Sequence, residues 1–229
     1  MKLFANLLLF GCLHLASTDM PMRKSLLFPL ETDTSYVELI PQRNLSMTSF
    51  TLCMRLATEL ATGNREIILF AYRTQNYDEL NVWRESNGTY SLYLATSNVN
   101  NAVVFKLPEL NAFQTHLCLT WESQFGLTAF YVDGRRSLRK VYNVGHKVTA
   151  GGRVILGQDA DAFLGKFDKK QSFVGEITDV NMWNYVLPTA IIKDLHAGKY
   201  APRGNVFDWE TINMKVNGNA SVICDRSVV

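Results

Sequence analysis

The stretch Val154–Trp183, VILGQDADAFLGKFDKKQSFVGEITDVNMW, decides how the rest of the chain reads. It opens on the apolar run VILG and closes on FVGEITDVNMW, and both ends carry strand-like patterning. Between them lies a segment rich in oxygen donors: Gln158, Asp159, Asp161, Asp168 and Gln171, interleaved with Phe163, Gly165 and Phe167. An oxygen-rich loop on a β scaffold is the kind of place where binding residues collect.

The chemistry this loop suggests is calcium. A hard cation takes about six to eight oxygens from carboxylates, amide carbonyls and backbone carbonyls. Asp159 and Asp161 lie two apart, so both side chains reach one ion from a turn, and the Ala160 carbonyl supplies a third oxygen. Asp168 and Gln171 return after a short excursion and suit a second site. The spacing is not that of an EF-hand, which ends on a bidentate Glu. Taken alone, D-x-D reads first as a solvated acidic turn, because turns favour Asp.

Outward from this stretch the chain is a succession of short β-patterned runs: SYVELIP, FTLCMRLAT, EIILFAY, LNVWRE, TYSLYLAT, AVVFKLPEL, HLCLTW, LTAFYVDG and RKVYNV. Most alternate apolar with polar residues, whereas EIILFAY reads as a strand buried on both faces. Asn87-Gly88, Asp133-Gly134 and Gly151-Gly152 supply turns between them. The pattern predicts an all-β antiparallel sandwich in one domain. One helix is predicted, Thr189–Ala197, with Pro188 before it and Gly198 after it.

The 229 residues are 47% hydrophobic and 19% charged, with a formal charge of +2, so no global basic field argues for nucleic acid. Residues 1–18 read as a secretory signal: Lys2 forms the positive start, Leu3–Ala16 the apolar core, and Ala16, Ser17 and Thr18 the small residues around cleavage. The run is too short for a membrane span. The expected product, residues 19–229, is therefore extracellular and not membrane-embedded. It keeps three cysteines, Cys53, Cys118 and Cys224, so an oxidising compartment pairs two and leaves one. Asn44, Asn87 and Asn219 open N-x-[ST] sequons and are candidate glycan acceptors.

His116–Ser123, HLCLTWES, matches the pattern H-x-C-x-[ST]-W-x-[ST]. With FTLCMR at Phe50–Arg55 and the acidic loop in the same order, the chain resembles the short pentraxin family from about Leu27 to about Trp209. The resemblance implies a lectin-like antiparallel jelly roll whose single helix packs on the face opposite the calcium site. It implies a Cys53–Cys118 disulfide, which closes a loop of about 66 residues worth roughly 4 kcal/mol in the chain-entropy model. Cys224 is then free or bridges to another chain.

The resemblance also implies two calcium ions per subunit. Asp78 matches the Asp of an earlier-loop Asp-Asn pair; the loop is one residue short, so Glu79 stands in place of the Asn, with Asn76 as the alternative donor, and Asp159, the Ala160 carbonyl and Asp161 complete the first site. Asp168 and Gln171 match the second. Relatives usually carry Glu where Asp159 stands, and the shorter side chain, which bridges both ions, predicts a weaker second site. Trp83, Tyr93 and Asn98 match the neighbouring ligand pocket. Family members that prefer phosphocholine carry a small residue and an acid in place of Tyr93 and Asn98. Phosphoethanolamine, phosphorylated or anionic sugars and polyanions are therefore the expected ligands ahead of phosphocholine. His116, Trp121, Trp183 and Trp209 read as structural.

The expected function is calcium-dependent recognition in innate immunity by a secreted homo-oligomer, a cyclic pentamer by resemblance, with complement and Fc receptors as partners of its other face. The alternative is a lectin module without that effector role. Catalysis is not expected: sandwich glycosidases use E-x-D-x-x-E, and D-A-D-A-F-L lacks the third acid.

Overall fold

The computed structural model describes residues 22–60, 64–95 and 102–226. Fifteen strands and one helix follow in chain order. They are β1 (Met22–Phe28), β2 (Tyr36–Ile40), β3 (Ser49–Ala57), β4 (Ile67–Arg73), β5 (Asp78–Arg84), β6 (Tyr90–Leu94), β7 (Val103–Phe105) and β8 (Thr115–Glu122). Then come β9 (Leu127–Val132), β10 (Arg135–Arg136), β11 (Lys140–Val141), β12 (Arg153–Leu156), β13 (Gly175–Trp183), α1 (Thr189–His196), β14 (Asn213–Asn217) and β15 (Ser221–Arg226).

Alternation along each strand sorts these elements into layers. In β3, Phe50, Leu52, Met54 and Leu56 enter the main core, while Cys53 on the other face joins a separate cluster with Trp183, Leu187 and Ile192. The strands build two antiparallel sheets. One runs β10-β9-β8-β3-β13-β1-β15, with β11 also on β9; the other runs β14-β2-β12-β4-β5-β6-β7. Between them lies the core, including Phe28, Phe70, Tyr90, Trp121, Phe130 and Phe207. The predicted jelly-roll sandwich is the observed fold. Among the described residues, no helix is long and apolar enough to cross a membrane.

The two outer faces differ. Helix α1 covers β3, β8, β9 and β13 of the first sheet through Ile192, Ile191 and Leu195. Arg55 on β3 secures its end: Nη2 donates to the Leu195 and His196 carbonyls at 3.2 and 2.9 Å, and Nε bonds Asp179 at 2.9 Å. The Leu195 carbonyl also accepts from the Gly198 amide at 3.2 Å, so Arg55 adds to the backbone closure of the helix end. On the second sheet a small apolar cluster forms from Ile68, Ala71, Ile155 and Ala160, with Trp83, Tyr36, Leu164 and Phe167 at its margin. The acidic loop therefore sits on the outside of one sheet and the helix on the outside of the other, as the resemblance implied. Strand β4 is buried on both sides because both faces have cover.

Cys53 and Cys118 face each other across β3 and β8 and are joined in a disulfide, with Cα atoms 4.1 Å apart. Cys224, on β15, is not a free thiol. Beyond Trp209 the chain continues into β14, which edges one sheet on β2, and β15, which edges the other on β1. Asn44, Asn87 and Asn219 are all exposed.

The loop begins at a glycine for a steric reason. Gly157 has φ +93°, and a Cβ there would stand 2.3 Å from Cε1 of Phe28. Gly165, within the same loop, has open space around it and no such backbone restriction. Gly157→Ala is therefore expected to cost about 2–5 kcal/mol of stability from backbone strain and overpacking, and Gly165→Ala to leave it nearly unchanged. Urea unfolding of the two variants side by side checks this.

Candidate metal centre

Strand β12 ends at Leu156 beside β4 and β2, so the residues that follow emerge over the outer face of the second sheet. Gln158 pins the first turn: it is fully buried and its Nε2 donates to the carbonyls of Thr32 and Ser35. Ala160 puts its methyl into the apolar cluster below. Its flanking carboxylates, Asp159 and Asp161, are left above that cluster. A reciprocal pair of 3.1 Å hydrogen bonds between Ala162 and Gly165 closes the next turn. Tyr36 packs on Phe167 with ring centroids 4.9 Å apart and holds the returning limb.

The second contribution comes from β5. Leu80 and Val82 enter the core, so Asn81 and Trp83 face outward. Tyr93 on β6 pairs with Asn81 in register and stands diagonal to Trp83 on the same face. Asn81 Nδ2 donates to Asp159 Oδ1 at 2.9 Å, and Asn81 Oδ1 accepts from the Tyr72 amide at 3.3 Å. At the head of β5, Asp78 accepts from Arg73 Nη1 at 2.6 Å.

These groups form one electrostatic unit. Asp159 is 6% exposed. Burial, then the neighbouring Asp78 and Asp161 carboxylates, push it up to about 7, against an opposing pull from Arg73 and the Ala160 amide. Asp78 is raised first by burial and also by Asp161, and Arg73 lowers it. Tyr93 is raised by burial, with Asp78 and Glu79 adding to it. Gathering carboxylates that cannot all ionise comfortably is the state a divalent cation relieves. The donor set, all oxygen and rich in carboxylate, fits a hard cation.

The remaining expectations divide. Asp168 caps the short turn Lys169–Gln171 by accepting from the Lys170 amide at 2.9 Å, and Gln171 Nε2 approaches Glu66 Oε2 at 3.5 Å. Both stand on a separate turn from the Asp78–Asp159–Asp161 group. Glu79 does not join that group. It is the extra residue of a β-bulge, fully buried, and its Oε1 accepts from His146 Nε2 at 2.9 Å and from the Thr149 amide at 3.0 Å. Asn98 and residues 1–18 lie outside the described residues.

Among the described residues, only Cys53, His116 and Cys118 place three ligand-type atoms within 4.8 Å of one another. The two sulfurs are bonded to each other, so that group offers no thiolate. His116 is buried there, and burial, Arg55 and His196 push it down to about 3. Asn81 and Arg73 were not singled out from the sequence. The outward phase of LNVW, with Asn81 two residues before Trp83, was the available signal for Asn81. Arg73 had none.

A two-sheet lectin-like sandwich with a carboxylate group on one outer face defines a class of binding protein. A model of the Pentaxin family matches residues 24–224. The chain is 54% identical to C-reactive protein of Danio rerio, covering 89% of each sequence, and 38% identical to serum amyloid P-component of Homo sapiens, covering 89% of this chain and 87% of that one. In structure it superposes on a native heptameric SAP-like pentraxin from Limulus polyphemus with a TM-score of 0.71, at 24% identity, over 90% of this chain and 95% of that one. The chain belongs to the pentraxin family.

The raised Asp159 has a consequence for stability. A carboxyl whose folded pKa lies above its unfolded value stabilises the fold as pH falls from about 7 towards 4, and that stabilisation is absent at pH 8. In chelator at pH 8, Asp159→Asn is expected to be more stable than the parent chain by about 1–4 kcal/mol. The difference should close by pH 4. Urea midpoints across this range test it, and a pH-independent difference would contradict it.

Proposed function

We propose that this pentraxin is a secreted, calcium-dependent recognition protein. Its outer face would bind phosphate-bearing head groups, anionic or phosphorylated carbohydrates and polyanions, as a pattern-recognition component of innate immunity. One observation carries the reading: three carboxylates, Asp78, Asp159 and Asp161, share one electrostatic field beside the outward-facing Trp83 and Tyr93.

In this reading Asp78, Asp159, Asp161 and the Ala160 carbonyl hold the first calcium, with Asn81 orienting Asp159. Asp168 and Gln171 complete a weaker second site that takes its share of Asp159. Bound calcium supplies positive charge to an incoming phosphate or carboxylate. Trp83 and Tyr93 supply an aromatic wall for methylene groups, a sugar face or a cation. The role is binding, with no catalytic step. Phosphoethanolamine would be preferred over phosphocholine, because Tyr93 and Asn98 stand where phosphocholine-preferring members of the family carry a small residue and an acid.

Self-association is part of the proposal. The Limulus relative is heptameric by its description, and the family resemblance points to a cyclic pentamer here. Several weak sites on one ring gain avidity against a repetitive surface without any new contact. The helix-bearing face, directed away from the ligand, is then available to complement and Fc receptors. Asn44, Asn87 and Asn219 are open to glycosylation in the secretory route, and 1–18 is the cleaved signal.

The test is retention on immobilised phosphoethanolamine in millimolar calcium, followed by elution with a chelator. The parent chain is expected to be retained and released, and Asp161→Asn to lose about tenfold or more in calcium affinity. Calorimetry near pH 7 in buffers of different ionisation enthalpy should detect protons released as calcium displaces them from Asp159. Flow-through of the parent chain at millimolar calcium would overturn the function and leave the fold intact.

A further inference from the structure

Next to Asp78 in the chain, the bulge residue Glu79 lines a cleft that includes none of the proposed calcium ligands. Its volume is about 510 Å³, and its walls include Tyr77, Glu79, Ala95, Asn143, His146 and Thr149. Most of its polar groups are already committed. Glu79 Oε1 holds His146 Nε2 and the Thr149 amide. Asn143 Nδ2 donates to the Ala95 carbonyl at 3.3 Å, and Tyr77 OH reaches Thr149 Oγ1 at 3.5 Å.

One atom is left over. Glu79 Oε2 is buried and has no hydrogen-bond partner among the described residues, on a side chain that is 0% exposed. Leaving a carboxylate oxygen buried without a donor costs far more than leaving it in water. The group that best answers such an oxygen carries several N–H donors and a positive charge. A metal ion fits less well: it needs several oxygens converging on one point, and the other oxygens here are spent on internal bonds. The rim suits an organic cation, because Tyr77 and Val144 are substantially exposed beside the buried acid.

We propose that this cleft is a binding site for a primary ammonium group, with Glu79 Oε2 as its acceptor, His146 and Thr149 holding the carboxylate in position, and Tyr77 forming the wall. The ligand class is a small aliphatic amine or the amino end of a larger molecule. The site stands apart from the three carboxylates proposed to hold calcium: Glu79, which the family resemblance aligned with a calcium ligand, is turned by the bulge towards His146 and Thr149.

The experiment uses the full chain in chelator, so that calcium plays no part. Ethanolamine is titrated while the ring resonances of His146 are followed by NMR, and ethylene glycol serves as the uncharged counterpart of similar size. The expected result is a saturable shift at His146 with ethanolamine, none with ethylene glycol, and about tenfold or greater weakening in Glu79→Gln. Equal responses to both compounds, or none to either, would overturn the proposal and leave Glu79 Oε2 as a group served by water. If Glu79→Gln does not fold, the comparison of the two compounds on the parent chain decides alone. Failure here would leave the phosphoethanolamine test untouched, because that test depends on calcium.

Discussion

The inner faces of two twisted sheets pressed against each other are the contact on which the remaining features depend. Every long strand spends alternate residues on that interface: Phe50, Leu52, Met54 and Leu56 from β3, Leu80 and Val82 from β5, Val154 and Leu156 from β12. Each such residue fixes the phase of its strand, because a slip by one position would turn the apolar set outward. Once the phase is fixed, the outward residues are fixed too. Cys53 then meets Cys118 and the helix on one side; Asn81 and Trp83 meet the acidic loop on the other.

The site is built against electrostatic resistance. Asp159 is buried near two other carboxylates, and the fold meets that cost locally with Arg73 on Asp78, the Asn81 amide on Asp159 and the Ala160 N–H. These partners leave the carboxylates partly compensated, the state that the proposed calcium would relieve. Gly157 makes the arrangement possible, since a side chain there would collide with Phe28 and the loop could not leave β12 at that point. The same economy recurs on the opposite face, where Arg55 serves both Asp179 and the helix end.

Most of the long strands were legible as alternating runs, and the acidic loop as a concentration of oxygen donors. The missed strands share a cause. Strand β1 opens on the charged Arg23 and Lys24, so only its end, Leu26 and Phe28, alternates into the core, and β14 is NMKVN with little buried; pairing with neighbouring strands extends both. The segment after Trp209 belongs to the sandwich for the same reason. Glu79 illustrates another limit. In a row of residues it stands beside Asp78 as a natural second ligand, yet the bulge between Tyr72 and Arg73 turns it into the interior towards His146 and Thr149.

The sequence by itself determined the layer architecture, the single helix and the family, because period-two hydrophobicity and the HLCLTWES motif are local properties of a row of residues. Only the tertiary structure decided which polar residues meet. Arg73 finds Asp78 across a bulged pair of strands, Asn81 finds Asp159 across a sequence separation of 78, and Glu79 finds His146 across one of 67. Such contacts depend on where a bulge shifts the register and on which loop crosses which sheet. Those features are set by packing the whole interior at once, so no single segment carries a signal for them.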